Sequence, residues 1–450
     1  MSEPPGGGAR ETFGSAIGVL LTMIGVAVGL GNVWRFPYLV GRYGGAAFVA
    51  VYLLAVVLIG IPALMAEWAI GRHTRRGTVG AFAAAGTPGG RALGWFLFAV
   101  VTAATAYYTN VVGWVAHFAV GEIASAVGRP FASAAVLPPQ SGFVLGAFGR
   151  QVVCTGVVIL TAVAVLQRGL RRGIERASTF IMPALFLILL LLIARGLTLS
   201  GSGEGLRWYL GAGGLTTLTP SVAIAAMGHA VFSLSLGGTF MVTYGSYLND
   251  TTSLPRNAAM TATGDTLAGL LAGLAIFPAV FAFGLEPASG PGLLFDTLPR
   301  VFEQMPVGWL FGLLFFVGLA GAAFLSDVAA FEVLVAGLTD NTRVSRRQAV
   351  WVMAGAVFVV SLVPMVNLDI FVRWDLTFGS GMQTFGALCA ALTAGWAMRR
   401  GALMAQLTTA GDARWLRAVP FWLRYVVPSA IIGVGAWWLF TDVLRLARGV

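Results

Sequence analysis

Two glycine-rich interruptions inside apolar stretches are the segments of this sequence best suited to bind a ligand. The first, residues 25–37, reads GVAVGLGNVWRFP, and the second, residues 228–239, reads GHAVFSLSLGGT. Glycine and proline weaken a helix, so each interruption should leave unpaired backbone groups at two half-helix ends. Carbonyl oxygens at a negative helix end suit a hard cation, and N–H groups at a positive end suit a carboxylate. One site built from both could hold a cation and an anionic solute together.

Close helix packing is the alternative explanation of the first interruption. Gly25 and Gly29 have the small-residue spacing that lets two membrane helices approach closely. The second interruption lies five apolar stretches after the first. Interrupted helices at corresponding places in two halves of a chain are the sequence pattern of a transporter built from inverted repeats, which favours a binding site.

Six charged residues fall within or near apolar stretches. Intramembrane charges are costly and are usually functional, although a structural partner is the alternative for each one. Together they predict a polar pathway through the membrane. They are Arg35, Glu67, Asp265, Asp327, Glu332 and Asp375.

The composition places these residues in a membrane protein. Of the 450 residues, 58% are hydrophobic and only 10% are charged, against roughly 25% charged residues in an ordinary soluble domain. A water-soluble protein is therefore excluded. The sequence contains no nucleophile elbow, Walker loop or HExxH motif, so we expect no enzyme. The net charge of +10 is spread along the chain, so we expect no nucleic-acid partner.

Eleven stretches are long and apolar enough to span a bilayer core of about 30 Å as helices. We name them spans one to eleven, and the sequence predicts an all-α membrane protein from them. They cover residues 14–41, 45–71, 92–124, 147–167, 174–195, 220–248, 257–284, 307–338, 348–366, 370–398 and 419–444.

The distribution of arginine predicts the orientation of these spans. All basic residues are arginine. If the N-terminus is cytoplasmic, the connections on the cytoplasmic side contain roughly twice as many arginines as those on the outside. We therefore expect a multi-pass protein of the inner (plasma) membrane with its N-terminus in the cytoplasm. The sequence does not indicate an oligomeric state.

Ordered motifs along the chain resemble the neurotransmitter:sodium symporter family, and within it the bacterial amino-acid transporters of the leucine-transporter type. The first motif, in span one, is highly specific. Weaker similarity around Asp265, Ser326 and Asp375 extends the resemblance through span ten. The matching stretches are residues 28–38 (VGLGNVWRFPY), 60–62 (GIP), 67–72 (EWAIGR), 107–108 (YY), 173–176 (GIER) and 232–237 (FSLSLG).

The resemblance implies one transporter domain over residues 1–450, with two inverted five-helix repeats and broken helices in spans one and six. Repeat one would cover residues 11–196 and repeat two residues 220–400. Residues 1–10 would form a cytoplasmic tail, and residues 419–444 an additional helix.

The resemblance also implies the partners: an amino-acid substrate, two sodium ions and the lipid bilayer. Sodium site 1 would use Ala27, Asn32, Ser233 and Asp265 together with the substrate carboxylate. Sodium site 2 would use Gly25, Val28, Ala322 and Ser326, with Asp327 as a further candidate. The substrate would contact Val26, Ala27, Leu30, Gly31, Ala104, Tyr108, Phe232, Ser233, Ser235, Gly238 and Ala330. Arg35 and Asp375 match an outer gate pair, and Glu67 matches a carboxylate that steadies the broken helices.

Three features of the sequence indicate the substrate and the ion dependence. Amine transporters of the family have an aspartate at the position of Gly29, so the substrate here should bring its own carboxylate. Chloride-dependent members have a neutral asparagine at the position of Asp265, so transport should not need chloride. Small residues at Ala104, Gly238 and Ala330 predict a wide pocket for a bulky or aromatic side chain.

One position departs from the family pattern. Leu325 stands where the family has a threonine or aspartate at sodium site 2, and Asp327 lies two residues further on. Either span eight is shifted in register so that Asp327 serves, or site 2 is weakened.

The predicted function is sodium-coupled uptake of a hydrophobic, bulky or aromatic L-amino acid by alternating access. The alternative is a non-transporting amino-acid sensor or a channel on the same fold.

Overall fold

The structure is a computed structural model, and it describes residues 11–211, 218–285, 292–408 and 414–440. The described residues form helices and connecting loops and contain no strand. The predicted tail, residues 1–10, and the last four residues of span eleven lie outside the described residues.

Long and short helices, several of them with a π-helical turn, build the molecule. In chain order they are Ala16–Ala27, Gly31–Tyr43, Ala46–Thr74, Thr78–Ala84, Gly90–Ala126, Leu145–Leu166, Leu170–Leu197, Ser202–Leu210, Pro220–Ser233, Phe240–Gly245, Leu254–Ala282, Leu298–Gln304, Gly308–Asn341, Arg346–Ser361, Leu368–Trp374, Met382–Leu392, Arg400–Leu407 and Arg414–Trp437.

Both glycine-rich interruptions are breaks in the structure. In span one, the helices Ala16–Ala27 and Gly31–Tyr43 meet at an angle of 54°. In span six, the helix Pro220–Ser233 ends and the next one, Phe240–Gly245, begins after a non-helical segment. Ser235 within that segment has a φ of 51°, a left-handed conformation that a non-glycine residue adopts rarely and mostly at functional positions.

Seven helices in the described part are long and apolar enough to cross a membrane, and the bent pair of span one makes eight. Spans six, nine and ten are not among these: span six is broken into Pro220–Ser233 and Phe240–Gly245, and Arg346–Ser361 of span nine has only 16 residues. The count of eleven spans and the limits of the two repeats therefore remain predictions.

Span three and span eight form the packed centre against which the breaks lie. Gly90–Ala126 and Gly308–Asn341 pack along each other, and both contribute many fully buried side chains. Large apolar side chains are exposed on the outer faces of other helices, as Phe180 and Val153 illustrate. Such faces suit contact with lipid, whose hydrocarbon cannot satisfy polar groups.

The start of span one and the start of span five cap each other. Glu175 accepts hydrogen bonds from the backbone N–H groups of Gly14 (2.9 Å) and Ser15 (3.2 Å) and from Ser15 Oγ (3.0 Å). Glu11 in turn accepts from the backbone N–H groups of Leu170 (3.1 Å) and Arg171 (3.3 Å). Carboxylates satisfy otherwise unpaired N–H groups at helix starts, so these reciprocal caps hold the two ends together.

Glu332, one of the six predicted intramembrane charges, has a structural role. Its carboxylate is buried and forms an ion pair with Arg346, with N–O distances of 2.9 and 2.7 Å. Tyr247 donates a hydrogen bond of 2.6 Å to the same carboxylate. The contacts join span eight, span nine and the second half of span six, so the structural alternative explains this residue.

Candidate functional site

Oxygen atoms of spans six and seven converge on one amide group at the break in span one. Asn32 Nδ2 donates to Asp265 Oδ1 at 2.7 Å, to the Asp265 carbonyl at 3.0 Å and to Ser233 Oγ at 3.0 Å. Ser233 Oγ also donates to Asp265 Oδ2 at 2.6 Å. All three residues are buried. The structure thus brings together the side chains predicted for sodium site 1, with Ala27 lining the adjoining cavity.

Tyr52 belongs to this cluster, although the sequence analysis did not single it out. Its hydroxyl lies 3.4 Å from Asp265 Oδ2 and 3.5 Å from Ser233 Oγ. The residue is buried in span two, and its hydroxyl needs a partner there. A tyrosine within an otherwise apolar run is the signal that could have indicated it.

A cavity of about 60 Å³ lies between the two breaks and adjoins this cluster. Eight of the residues predicted to contact substrate line it, together with Phe240, Thr105 and Gln383 as additional residues. The eight are Ala27, Gly31, Ala104, Tyr108, Phe232, Ser233, Ser235 and Ala330.

The other three predicted substrate residues lie outside the cavity lining. The backbone N–H of Leu30 donates to the Tyr108 hydroxyl at 3.3 Å, and the carbonyl of Val26 accepts from Ser235 Oγ at 2.9 Å. Gly238 was predicted to contact the substrate, but in the structure it packs against span ten. Its φ of 70° turns the backbone against span ten, where an added Cβ would lie 2.7 Å from the carbonyl oxygen of Gly386.

Gly29 lies where no side chain fits. A Cβ added there would be 2.5 Å from the Tyr108 hydroxyl and 2.7 Å from Ser326 Oγ. The glycine lets spans three and eight bring both hydroxyl groups against the break of span one. An aspartate cannot be placed at this position in the present arrangement.

The residues of span eight at sodium site 2 face two different spans. Ser326 Oγ lies 3.0 Å from the Val28 carbonyl oxygen and 3.4 Å from that of Gly25, while the Leu325 side chain packs against Gly25. Asp327 instead accepts a hydrogen bond of 2.8 Å from Thr109 Oγ1 in span three.

The register shift that would let Asp327 serve site 2 is therefore not the arrangement seen. Successive residues of a helix point about 100° apart, so Asp327 faces span three when Ser326 faces span one. Ala322 is buried on the same helix, one turn before Ser326.

Among the described residues, no ion pair joins the predicted gate residues Arg35 and Asp375. Arg35 Nη1 donates to Ser380 Oγ at 3.3 Å, and the guanidinium lies 4.4 Å above the ring centre of Phe232. The Asp375 carboxylate and the Tyr107 hydroxyl both lie next to Gly379.

Arg35 also lines a second cavity of about 610 Å³ that lies beyond Phe232. In this arrangement Arg35 and Phe232 separate the small cavity from the large one.

Glu67 contacts the break of span six directly. Its Oε1 accepts hydrogen bonds from the backbone N–H groups of Gly237 at 3.0 Å and Gly238 at 2.8 Å. The carboxylate is buried, and it satisfies two N–H groups that the break leaves without helical partners.

The family model and the related proteins that match this chain point to the same family. The model of the Sodium:neurotransmitter symporter family matches residues 10–129 and 140–434. The chain is 33% identical over 446 residues to the uncharacterized sodium-dependent transporter YhdH of Bacillus subtilis (strain 168), covering 93% of this chain and 96% of that protein. It is 26% identical to the sodium-dependent dopamine transporter of Bos taurus, covering 86% of this chain and 63% of that protein.

A solved structure has the same fold. The crystal structure of MhsT in complex with L-phenylalanine superposes with a TM-score of 0.81 at 32% sequence identity, covering 95% of this chain and 99% of that chain. The predicted fold class, with broken spans one and six, agrees with this match.

Proposed function

Because the chain belongs to the sodium:neurotransmitter symporter family and is a sodium-dependent, multi-pass membrane transporter rather than an enzyme, we propose that it takes up a hydrophobic, bulky or aromatic L-amino acid. In this proposal, sodium enters with the substrate, and the site opens alternately to the two sides of the membrane. The N-terminus lies in the cytoplasm, in line with the arginine distribution.

The observation that carries the proposal is the oxygen cluster at the two breaks. Two oxygens of Asp265 and the hydroxyl of Ser233 surround the Asn32 amide N–H group, a positive donor that a cation can replace. Carboxylate, carbonyl and hydroxyl oxygens are the ligands that hard cations prefer. Turning the Asn32 amide would add its Oδ1, which now accepts from the N–H of Gly29 at 3.0 Å.

The substrate carboxylate fits between this cluster and Tyr108. The Tyr108 hydroxyl lies 3.3 Å from the Leu30 N–H at the start of the helix that follows the break. A carboxylate is stabilised at such a positive helix end and by a hydroxyl donor. Since no side chain fits at Gly29, the protein supplies no carboxylate there, and an amino acid brings its own.

Three features favour a large apolar side chain on the substrate. Ala104 and Ala330 leave room on spans three and eight, and Phe232 and Phe240 offer aromatic faces in the same cavity. The similar protein MhsT was crystallised with L-phenylalanine. Aromatic side chains bury large apolar areas and pack well against other rings.

We assign two sodium sites, of which the second is the weaker. The first lies at Ala27, Asn32, Ser233 and Asp265. The second lies between the carbonyl groups of Gly25 and Val28 and the residues Ala322 and Ser326, where Leu325 offers no oxygen. Driving one sodium ion through about 100 mV provides about 2.3 kcal/mol before its concentration gradient is counted.

A thermal-shift screen of the twenty amino acids, with and without sodium, tests the substrate class. Phenylalanine, tryptophan or leucine should raise the melting temperature of the purified protein in sodium but not in potassium, and replacing chloride with gluconate should not reduce the shift. Stronger stabilisation by glycine or alanine would contradict the bulky-substrate proposal. A shift that disappears in gluconate would contradict the role of the Asp265 charge.

A further inference from the structure

Within the described part of the chain, Gln383 is the polar residue of the substrate cavity whose side chain has no hydrogen-bond partner. The other polar side chains in the lining are each engaged. Thr105 bonds to the Val101 carbonyl, Tyr108 to the Leu30 N–H, Ser233 to Asp265, Ser235 to the Val26 carbonyl and Ser326 to the Val28 carbonyl, and the Tyr107 hydroxyl lies beside the Asp375 carboxylate. Among the described residues, no hydrogen bond reaches the Gln383 amide.

Close packing of span ten on the break of span six places Gln383 at the cavity. A Cβ added to Gly386 would lie 2.0 Å from the Gly237 carbonyl oxygen, so the two backbones touch with no side chain between them. One helical turn earlier, Gln383 Cβ lies 3.5 Å from the position of a Cβ on Gly237. Gln383 lines both the small cavity and the large outer one, so substrate passes it on entering.

The position of Gln383 separates it from the carboxylate-binding end of the site. The groups proposed for the substrate carboxylate, Tyr108 and the N–H of Leu30, belong to spans three and one. Gln383 comes from span ten, which supplies no other residue to the lining. Its amide offers two N–H donors and one carbonyl acceptor in a largely apolar wall that includes Ala104, Phe240 and Ala330.

We propose that Gln383 determines specificity among aromatic substrates by accepting a hydrogen bond from a donor on the substrate ring, such as an indole N–H or a phenol O–H. This inference rests on the proposed amino-acid function. A site that hydrogen-bonds a substrate N–H or O–H discriminates against the analogue that lacks it, because the protein group is then left unpaired. Gln383 is half-buried, so its amide can also bond to water. The preference for a substrate with a ring donor should therefore be modest.

The test compares ligands that differ by one donor. Labelled phenylalanine is bound to the purified full chain in sodium and displaced by tryptophan or by 1-methyltryptophan, whose ring nitrogen carries no hydrogen. The ratio of the two inhibition constants should be about three- to tenfold larger for the wild type than for Gln383→Met, which keeps the length and removes the amide. Gln383→Glu retains an acceptor and should keep a ratio well above that of Gln383→Met.

Two results would overturn the inference. If the ratio of inhibition constants is the same for the wild type and for Gln383→Met, Gln383 does not accept a hydrogen bond from the substrate ring. An equal loss of affinity for tryptophan, 1-methyltryptophan and phenylalanine in Gln383→Met, with affinity retained in Gln383→Glu, would place Gln383 at the substrate amino group instead. If phenylalanine does not bind in a sodium-dependent way to the wild type, the proposed function itself fails, and this inference fails with it.

Discussion

At the scale of single residues, the account depends on how closely spans three and eight approach the break in span one. The Tyr108 hydroxyl and Ser326 Oγ both lie within 3 Å of the position that a Cβ on Gly29 would occupy. The same two hydroxyl groups contact the backbone of the break through Leu30 and Val28. One missing side chain therefore allows the contacts on which both the substrate carboxylate and sodium site 2 depend.

Gly29→Ala is expected to lower substrate affinity at least tenfold, because the added methyl group displaces Tyr108 and Ser326. Equilibrium binding of labelled substrate in sodium measures the effect. Gly355→Ala is the matched control, since Gly355 is exposed in span nine with open space around its Cα. Unchanged binding by Gly29→Ala would show that the close approach is not required.

Leu325 gives a gain-of-function prediction for sodium site 2. Its side chain packs against Gly25, where a threonine would present a hydroxyl to the break. Leu325→Thr should therefore raise the apparent sodium affinity about threefold to tenfold, the effect of one added oxygen ligand.

Leu325→Val is the control for this gain, because valine has nearly the shape of threonine but adds no oxygen. Sodium titrations of substrate binding compare the two variants. Equal sodium affinities for Leu325→Thr and Leu325→Val would argue against a cation at this position.

The sequence predicted the residues of the site better than their directions. Asn32 and Ser233 come together as expected because each lies at a break, whereas Asp265, inside the continuous helix Leu254–Ala282, was indicated by the family resemblance. Leu325, Ser326 and Asp327 are adjacent in sequence, but the rotation of span eight turns the first two toward span one and Asp327 toward span three. That rotation is set by packing against spans one and three, which no local pattern encodes. Tyr52 was missed although a tyrosine within the apolar run of span two was a usable signal, because the partners of its hydroxyl depend on how span two packs.

At the scale of elements, the two broken helices are held by partners outside themselves. Glu67 in span two satisfies N–H groups at the break of span six, and Ser235 bonds across to the break of span one. Glycines and prolines predicted where the helices stop. The sequence did not predict that Arg35 bonds to Ser380 rather than to Asp375, because the π-helical turn Asp375–Gly381 changes which residues of span ten face Arg35.

The reciprocal caps lead to a prediction about the start of span one. We place this end on the cytoplasmic side, where Glu175 holds the N–H groups of Gly14 and Ser15. Glu175→Ala should loosen this end, favour states open to the cytoplasm, and weaken the apparent sodium affinity about tenfold.

Glu204→Ala provides the control for this element, since Glu204 is an exposed carboxylate on the helix Ser202–Leu210. Sodium-dependent thermal stabilisation of the two variants measures the difference. If Glu175→Ala binds sodium as the control does, the caps contribute only to folding.

At the scale of the whole molecule, the fold agrees with the prediction made from composition and motifs. Broken spans one and six, the all-helical architecture and the match to a solved relative at a TM-score of 0.81 are consistent with one another. Helix length alone counts fewer spans than the sequence predicts, because a break such as that in span six divides a span into short helices. The predicted orientation follows from the distribution of arginine.

Uptake into proteoliposomes is the most direct test of the central claim, which is that a sodium gradient drives accumulation of a hydrophobic amino acid. With sodium outside and potassium inside, labelled phenylalanine or leucine should accumulate above its external concentration. Accumulation should persist in gluconate and disappear in Asn32→Ala. Sodium-dependent binding without accumulation, or equal uptake with no sodium gradient, would contradict the account.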